Sequence, residues 1–206
     1  MGDASGALGK MPPLAPKTFA KVAEGAGKIS KMTFTRHFTL YNGYINKCNE
    51  IVGKLKNVGL SNANQAFSDL RELKVELTFA WGGVVNHEIY FNNLGGKGGE
   101  PDGNLADAVK RDFGSFANFK ADMKATGLAA RGWVWLATSR DGYLFNYLGD
   151  AQNSYPVWGA SPILALDTYE HAYWLDTANR GEYIDNFFEV IDWADVSARY
   201  AKAMGQ

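Results

Sequence analysis

A chain of 206 residues, 46% hydrophobic and 21% charged, has material for one large domain or two small ones around a packed core. Its formal net charge of −1 supplies no basic field for nucleic acid or an anionic membrane, so a small anionic substrate would have to be attracted locally. The single cysteine, Cys48, excludes an intramolecular disulfide, and no run approaches the roughly 18 apolar residues of a membrane span.

Residues 1–28 carry Gly, Pro and Ala without a continuous apolar stretch, which reads as a flexible tail rather than a signal peptide and points to the cytoplasm. Ser30 then stands as an N-cap before Lys31. Tyr41, Tyr44, Ile45, Cys48, Ile51, Val52 and Leu55 recur at helical spacing, and Gly59 with Ser61 to Asn64 ends the run. Among those neighbours Cys48 is expected as a small buried hydrophobe. A second long helix is expected over 66–91. It contains Gly82-Gly83, a pair that costs roughly 1 kcal/mol per glycine in a helix interior and marks close approach of another backbone or a bulky ring.

The glycine-dense stretch 95–103 separates the two helices from the C-terminal half, and it lacks the spacing of a phosphate-cradling loop. Helices are expected at 105–113 and 116–126. Strands are expected at 133–137 and 143–148 around the Arg140-Asp141-Gly142 turn, with a third strand at 162–167. Helices at 183–191 and 194–204 close the chain. The expected fold class is α+β. A tail (1–28) precedes a long antiparallel helical hairpin (29–95), followed by a C-terminal domain (104–206) with a three-stranded antiparallel sheet and helices.

Three histidines, His37, His87 and His171, fall on three different elements. Asp167 ends an apolar run four residues ahead of His171, so the two can converge on one point. Mixed nitrogen and oxygen ligation of this kind suits manganese or iron. A lone histidine is more often structural, so the case for a metal rests on joint placement.

That placement resembles a known family. Asp167-x-Tyr169-Glu170-His171-Ala172-Tyr173 resembles the D-x-W-E-H-A-Y signature of the iron/manganese superoxide dismutases. Gly82 to His87 is similar to the family's G-G-H-x-N-H segment. Lys110 to Phe116, Gly132 to Leu136 and Tyr183 to Trp193 also match, in order, from Ile29 onward. Ser30, Thr33 and His37 fit the entry to the family's first helix, which places a ligand at His37. Counting back from Tyr44 places it at Arg36 instead, and a one-residue deletion would reconcile the counts. Arginine cannot ligate at any usual pH, which favours His37.

The resemblance implies one manganese or iron ion per subunit held by His37, His87, Asp167 and His171, with a solvent ligand. It implies that superoxide anion is converted to O2 and hydrogen peroxide, with Gln152 bonding the coordinated solvent and Tyr44 as the gateway tyrosine. Gln152 paired with Gly83 leans towards manganese. Trp133 is implied as a wall of the pocket, and Arg180 is a candidate for steering the anion. Glu170 is implied to reach the other subunit, hence a homodimer or higher homo-oligomer. Three positions depart from the family pattern: Tyr169 replaces Trp, Trp174 replaces Tyr, and Leu40 or Tyr41 replaces a second helix-one histidine. These motivate an alternative reading, a metal-binding homodimer of the same fold with weak or no dismutase activity, and the idea that Tyr41 substitutes in the proton path.

Overall fold

The computed structural model describes residues 2–205. Two short strands, β1 (Gly25–Ala26) and β2 (Ile29–Ser30), pair antiparallel and lead into helix α1 (Lys31–Leu55). Ser30 caps it as expected, its Oγ accepting the Thr33 N–H at 3.2 Å. Asp176, from the far end of the chain, accepts the Ser30 N–H at 2.9 Å and the Thr33 hydroxyl at 2.7 Å. The start of α1 is therefore tied to the loop just after the signature.

Helix α2 (Asp69–Asn92) returns antiparallel to α1. It begins three residues later than the apolar pattern suggested. Asn64 accepts the Ala66 and Phe67 amides in a turn, and Ser68 takes the cap by accepting the Arg71 N–H. The paired glycines are explained on both counts. A Cβ on Gly82 would collide with the Gln152 carbonyl, and one on Gly83 would lie 2.5 Å from the Tyr44 ring.

The segment expected as a tail is laid along this hairpin. It forms short 3-10 turns at Gly6–Lys10 and Ala20–Val22. Asn49 clamps Leu14 by accepting its N–H at 2.8 Å and donating to its carbonyl at 2.9 Å. Phe19 packs on Phe91 with ring centroids 4.9 Å apart. Apolar side chains here thus join the core although no periodic run announced them.

Helices α3 (Gly103–Phe113) and α4 (Phe116–Ala129) lead to the sheet of β3 (Trp133–Thr138), β4 (Leu144–Gly149) and β5 (Ser161–Asp167). All pairings are antiparallel in the order β4-β3-β5, with Trp133 opposite both Gly149 and Asp167. Central β3 is buried throughout, which accounts for its unbroken apolar sequence. Helices α5 (Arg180–Phe188) and α6 (Trp193–Ala203) complete the α+β fold. α5 starts and stops three residues before the expected 183–191 because Asn179 caps it, accepting the Glu182 N–H. One hydrophobic cluster runs through both the hairpin and the C-terminal part. Asn93, fully buried at the end of α2, donates to the Ile163 carbonyl at 3.2 Å and accepts the Ala165 N–H at 3.0 Å. It fixes α2 against β5. Cys48 is buried, as expected. Among the described residues no helix is long and apolar enough to cross a membrane.

Candidate metal centre

Four elements deliver one polar group each to a single point. His37 comes from α1, His87 from α2, Asp167 from the last residue of β5, and His171 from the adjoining 3-10 turn Glu170–Ala172. Their donor atoms all lie within 4.8 Å of one another. Asp167 Oδ2 sits 3.1 Å from His37 Nε2, 3.2 Å from His171 Nε2 and 3.9 Å from His87 Nε2. Such spacings fit donors each about 2 Å from one shared ion. Arg36, by contrast, is exposed, and of the two positions counted it is His37 that lies in the cluster. From His37 to Tyr44 is seven residues on an unbroken helix, about 700° of rotation, which returns both side chains to one face.

Electrostatics prepares these atoms as ligands. Burial pushes His87 down to about 3, so its ring is neutral. Its Nδ1–H donates to the Gly83 carbonyl at 2.6 Å, which leaves a lone pair on Nε2. That Nε2 is buried with no hydrogen-bond partner. Burial likewise lowers His37, outweighing its bond to Asp167. Burial alone would raise the Asp167 carboxyl, but the charges and hydrogen bonds of His171 and His37 together hold it well below the usual carboxylate range. Asp167 Oδ1 is occupied by the Tyr169 N–H at 2.9 Å, which turns Oδ2 towards the histidines. For His171, burial acts downward but the Asp167 charge and hydrogen bond outweigh it and raise the ring. An ionised carboxylate, neutral imidazoles at His37 and His87 and an orphaned buried nitrogen fit a manganese or iron ion.

A layer of side chains encloses this cluster. Trp133 is fully buried, with its ring 5.2 Å from that of His87. Its indole N–H donates to Gln152 Oε1 at 3.1 Å. Asn86 Nδ2 donates to the Gln152 carbonyl at 3.0 Å and to Oε1 at 3.3 Å. The Tyr44 ring lies 5.4 Å from the His87 ring. Burial and the Asp167 charge raise the Tyr44 phenol, against a hydrogen bond from Gln152 that lowers it. Tyr44 and Gln152 are thus brought to the cluster from α1 and from the turn after β4. Asn86 was quoted in the sequence only as part of a motif. Its position four residues after Gly82, on the same helix face, is the signal that could have singled it out.

The departing positions behave differently from one another. Tyr169 stacks on His171 with centroids 5.4 Å apart and an interplanar angle of 17°. Tyr41 is buried, but its hydroxyl donates to Glu88 at 2.9 Å and accepts the Lys17 N–H at 3.2 Å. Trp174 is 56% exposed and Leu40 is 41% exposed. An open recess of about 440 Å³ lined by Ala130, Arg131, Tyr169, Glu170, His171 and Arg180 reaches the cluster from solvent. Arg180 braces it by donating to the Ala130 carbonyl at 2.7 Å.

Comparison with known proteins gives the family. Residues 21–95 match the alpha-hairpin domain of the iron/manganese superoxide dismutases, and residues 101–199 match their C-terminal domain. A protein of Aquifex pyrophilus named superoxide dismutase [Fe] is 43% identical over 93% of this chain and 92% of its own length. One of the same name from Aquifex aeolicus is 44% identical over 85% of this chain and 86% of its own. Superoxide dismutase [Mn] 1 of Halobacterium salinarum is 33% identical over 85% of this chain and 88% of its own. The chain belongs to the iron/manganese superoxide dismutase family. It is an oxidoreductase that takes superoxide to O2 and hydrogen peroxide.

Proposed function

We propose that His37, His87, Asp167 and His171 hold the single manganese or iron ion on which this dismutation runs. The observation that carries the assignment is His87 Nε2, neutral, buried and unpartnered within a group of donors 4.8 Å across. The ion, alternating between two oxidation states, supplies the electron exchange. The chain supplies the rest. Asp167 contributes the one negative charge among the four groups, oriented by the Tyr169 amide. Trp133 closes the cluster to water on one side. Gln152, its carbonyl oxygen engaged by Trp133 and Asn86, keeps its amide N–H groups for the site and for Tyr44. Forming peroxide consumes protons, and the Tyr44 phenol, on a ring 5.4 Å from that of His87, holds one. Superoxide enters through the recess beside His171, drawn by Arg180 and Arg131 rather than by the net charge of −1.

Two considerations bear on the choice of metal. The combination of Gln152 with Gly83 favours manganese, whereas two relatives of 43% and 44% identity are named for iron. For assembly we propose a homodimer or higher homo-oligomer through the Glu170 region. Glu170 is exposed beside Trp174 and Leu175, themselves 56% and 58% exposed, an apolar area suited to a partner. The hairpin (29–95) and the C-terminal part (104–206) are proposed as the two domains, and the cytoplasm as the location. Elemental analysis with a superoxide-decay assay on the purified chain tests the reading. One ion of manganese or iron per subunit with fast decay supports it. Metal with negligible decay returns the alternative of a metal-binding homodimer without efficient dismutation, and absence of metal contradicts the ligand assignment.

A further inference from the structure

We infer that the Tyr169 phenol is a positioning residue for the Gln152 amide. It acts through the backbone of the turn that leaves β4. The inference rests on the role given to Gln152 above and concerns a residue that departs from the family pattern.

Gln152 lies three residues past the end of β4, on a turn with no regular structure of its own. A side chain on such a turn is placed only as well as the turn is held. Among the contacts that hold it, three come from residues next to the proposed ligands. Asn86 donates to the Gln152 carbonyl at 3.0 Å, Trp133 donates to Oε1 at 3.1 Å, and the Tyr169 hydroxyl donates to the Asp150 carbonyl at 3.1 Å. Each anchor is attached to a ligand. Asn86 precedes His87, Trp133 pairs across the sheet with Asp167, and Tyr169 lies between Asp167 and His171. Gln152 is therefore referenced to the ligand-bearing backbone from three sides.

The Tyr169 contact is the one made by the chain's own departure. Its ring fills the wall of the site by stacking on His171, and its hydroxyl does something separate, 3.1 Å from a carbonyl two residues before Gln152. The fit is close, because a Cβ on Gly132 would lie 2.9 Å from both the phenol oxygen and the Gly149 carbonyl. Asp150 is also held from its side chain, with Oδ1 accepting the Arg131 N–H at 2.9 Å. Releasing the carbonyl leaves Asp150 held by its side chain and loosens one end of a short span whose other end carries the amide.

The test uses the metal-loaded chain and its variants Tyr169→Phe, Gln152→Ala and the double substitution. Tyr169→Phe removes one oxygen and keeps the ring on His171. The readouts are the reduction potential of the bound ion and its visible absorption, with amide exchange of residues 149–154 followed in the metal-free chain. Tyr169→Phe should shift the potential in the same direction as Gln152→Ala but less, and should speed amide exchange in the turn. It should lower kcat/KM by about three- to tenfold, the size of one lost hydrogen bond. In the Gln152→Ala background it should add no further shift, because its effect passes through that amide. An unmoved potential in Tyr169→Phe, with Gln152→Ala shifted, overturns the inference alone. So does an equal shift in both backgrounds, which would trace the effect to His171. An unmoved potential in Gln152→Ala overturns the role of Gln152 and this inference together.

Discussion

At the residue scale, three of the four proposed ligands stand out because each is the wrong kind of group for where it lies. His37, His87 and Asp167 are fully buried, and burial of an ionisable group is costly without a partner. His87→Ala should lower metal affinity by more than the roughly 10- to 100-fold that loss of a ligand's hydrogen-bond partner costs, as read by metal competition with a chelator. Tyr44 bears on pH. Its neutral form is favoured in the folded chain, so its phenol titrates above the usual 10. Activity that depends on its proton should hold through neutral pH and fall only above pH 10. The unfolded chain releases that proton first, so this residue's contribution to stability also declines as pH rises past 10. Tyr44→Phe should remove the alkaline limb from the superoxide-decay profile, and an unchanged limb would assign it to another group. All four proposed ligands were named from the sequence, with His37 preferred to Arg36 on the chemistry of arginine rather than on spacing. Two motif counts disagreed by one residue, and only the unbroken α1 shows which side chain turns inward.

At the scale of elements, the α1–α2 hairpin is shaped by its glycines. Gly83 lets the Tyr44 ring lie against α2, whereas Gly43, exposed on α1, has no heavy atom within 4 Å of a would-be Cβ. Thermal melts of the metal-free variants should therefore have opposite signs. Gly43→Ala should raise Tm by about 2–4 °C, from roughly 1 kcal/mol of helix propensity. Gly83→Ala should lower it by about 3–8 °C, since overpacking of about 1–3 kcal/mol exceeds that gain and the Tyr44 ring has to move. Equal effects at both positions would mean that Gly83 does not hold a close contact. The pair was legible as a close-approach signal because propensity argues so strongly against it. The helix starts were not. Ser68 and Asn179 took the caps of α2 and α5 away from the positions suggested by the apolar pattern, because a side-chain hydrogen bond to a free amide outweighs one more residue of periodicity. The N-terminal segment was hardest to read, since its order comes from hydrogen bonds to Asn49 and Tyr41 that lie 24 or more residues away.

For the whole molecule, the core that joins hairpin and sheet is what makes a four-element site possible. Asn93 and Asp176 each cross from one part to the other, at the two ends of the ligand set. The α+β class followed from periodicity and turns alone, but the bonds that register one part on the other follow from neither, because they pair residues 70 and 143 positions apart. Assembly belongs to this scale. Glu170→Ala should shift the chain from dimer towards monomer on sedimentation and loosen its metal at the same time, while a fully metallated dimer would sink the proposed interface. Every role assigned above depends on one ion sitting among His37, His87, Asp167 and His171. Anomalous diffraction from crystals of the purified protein, collected at the manganese and iron edges, decides this. A single strong peak per subunit is expected, bonded to the three Nε2 atoms and to Asp167 Oδ2. A peak elsewhere, or none among these four side chains in an active preparation, would contradict the assignment.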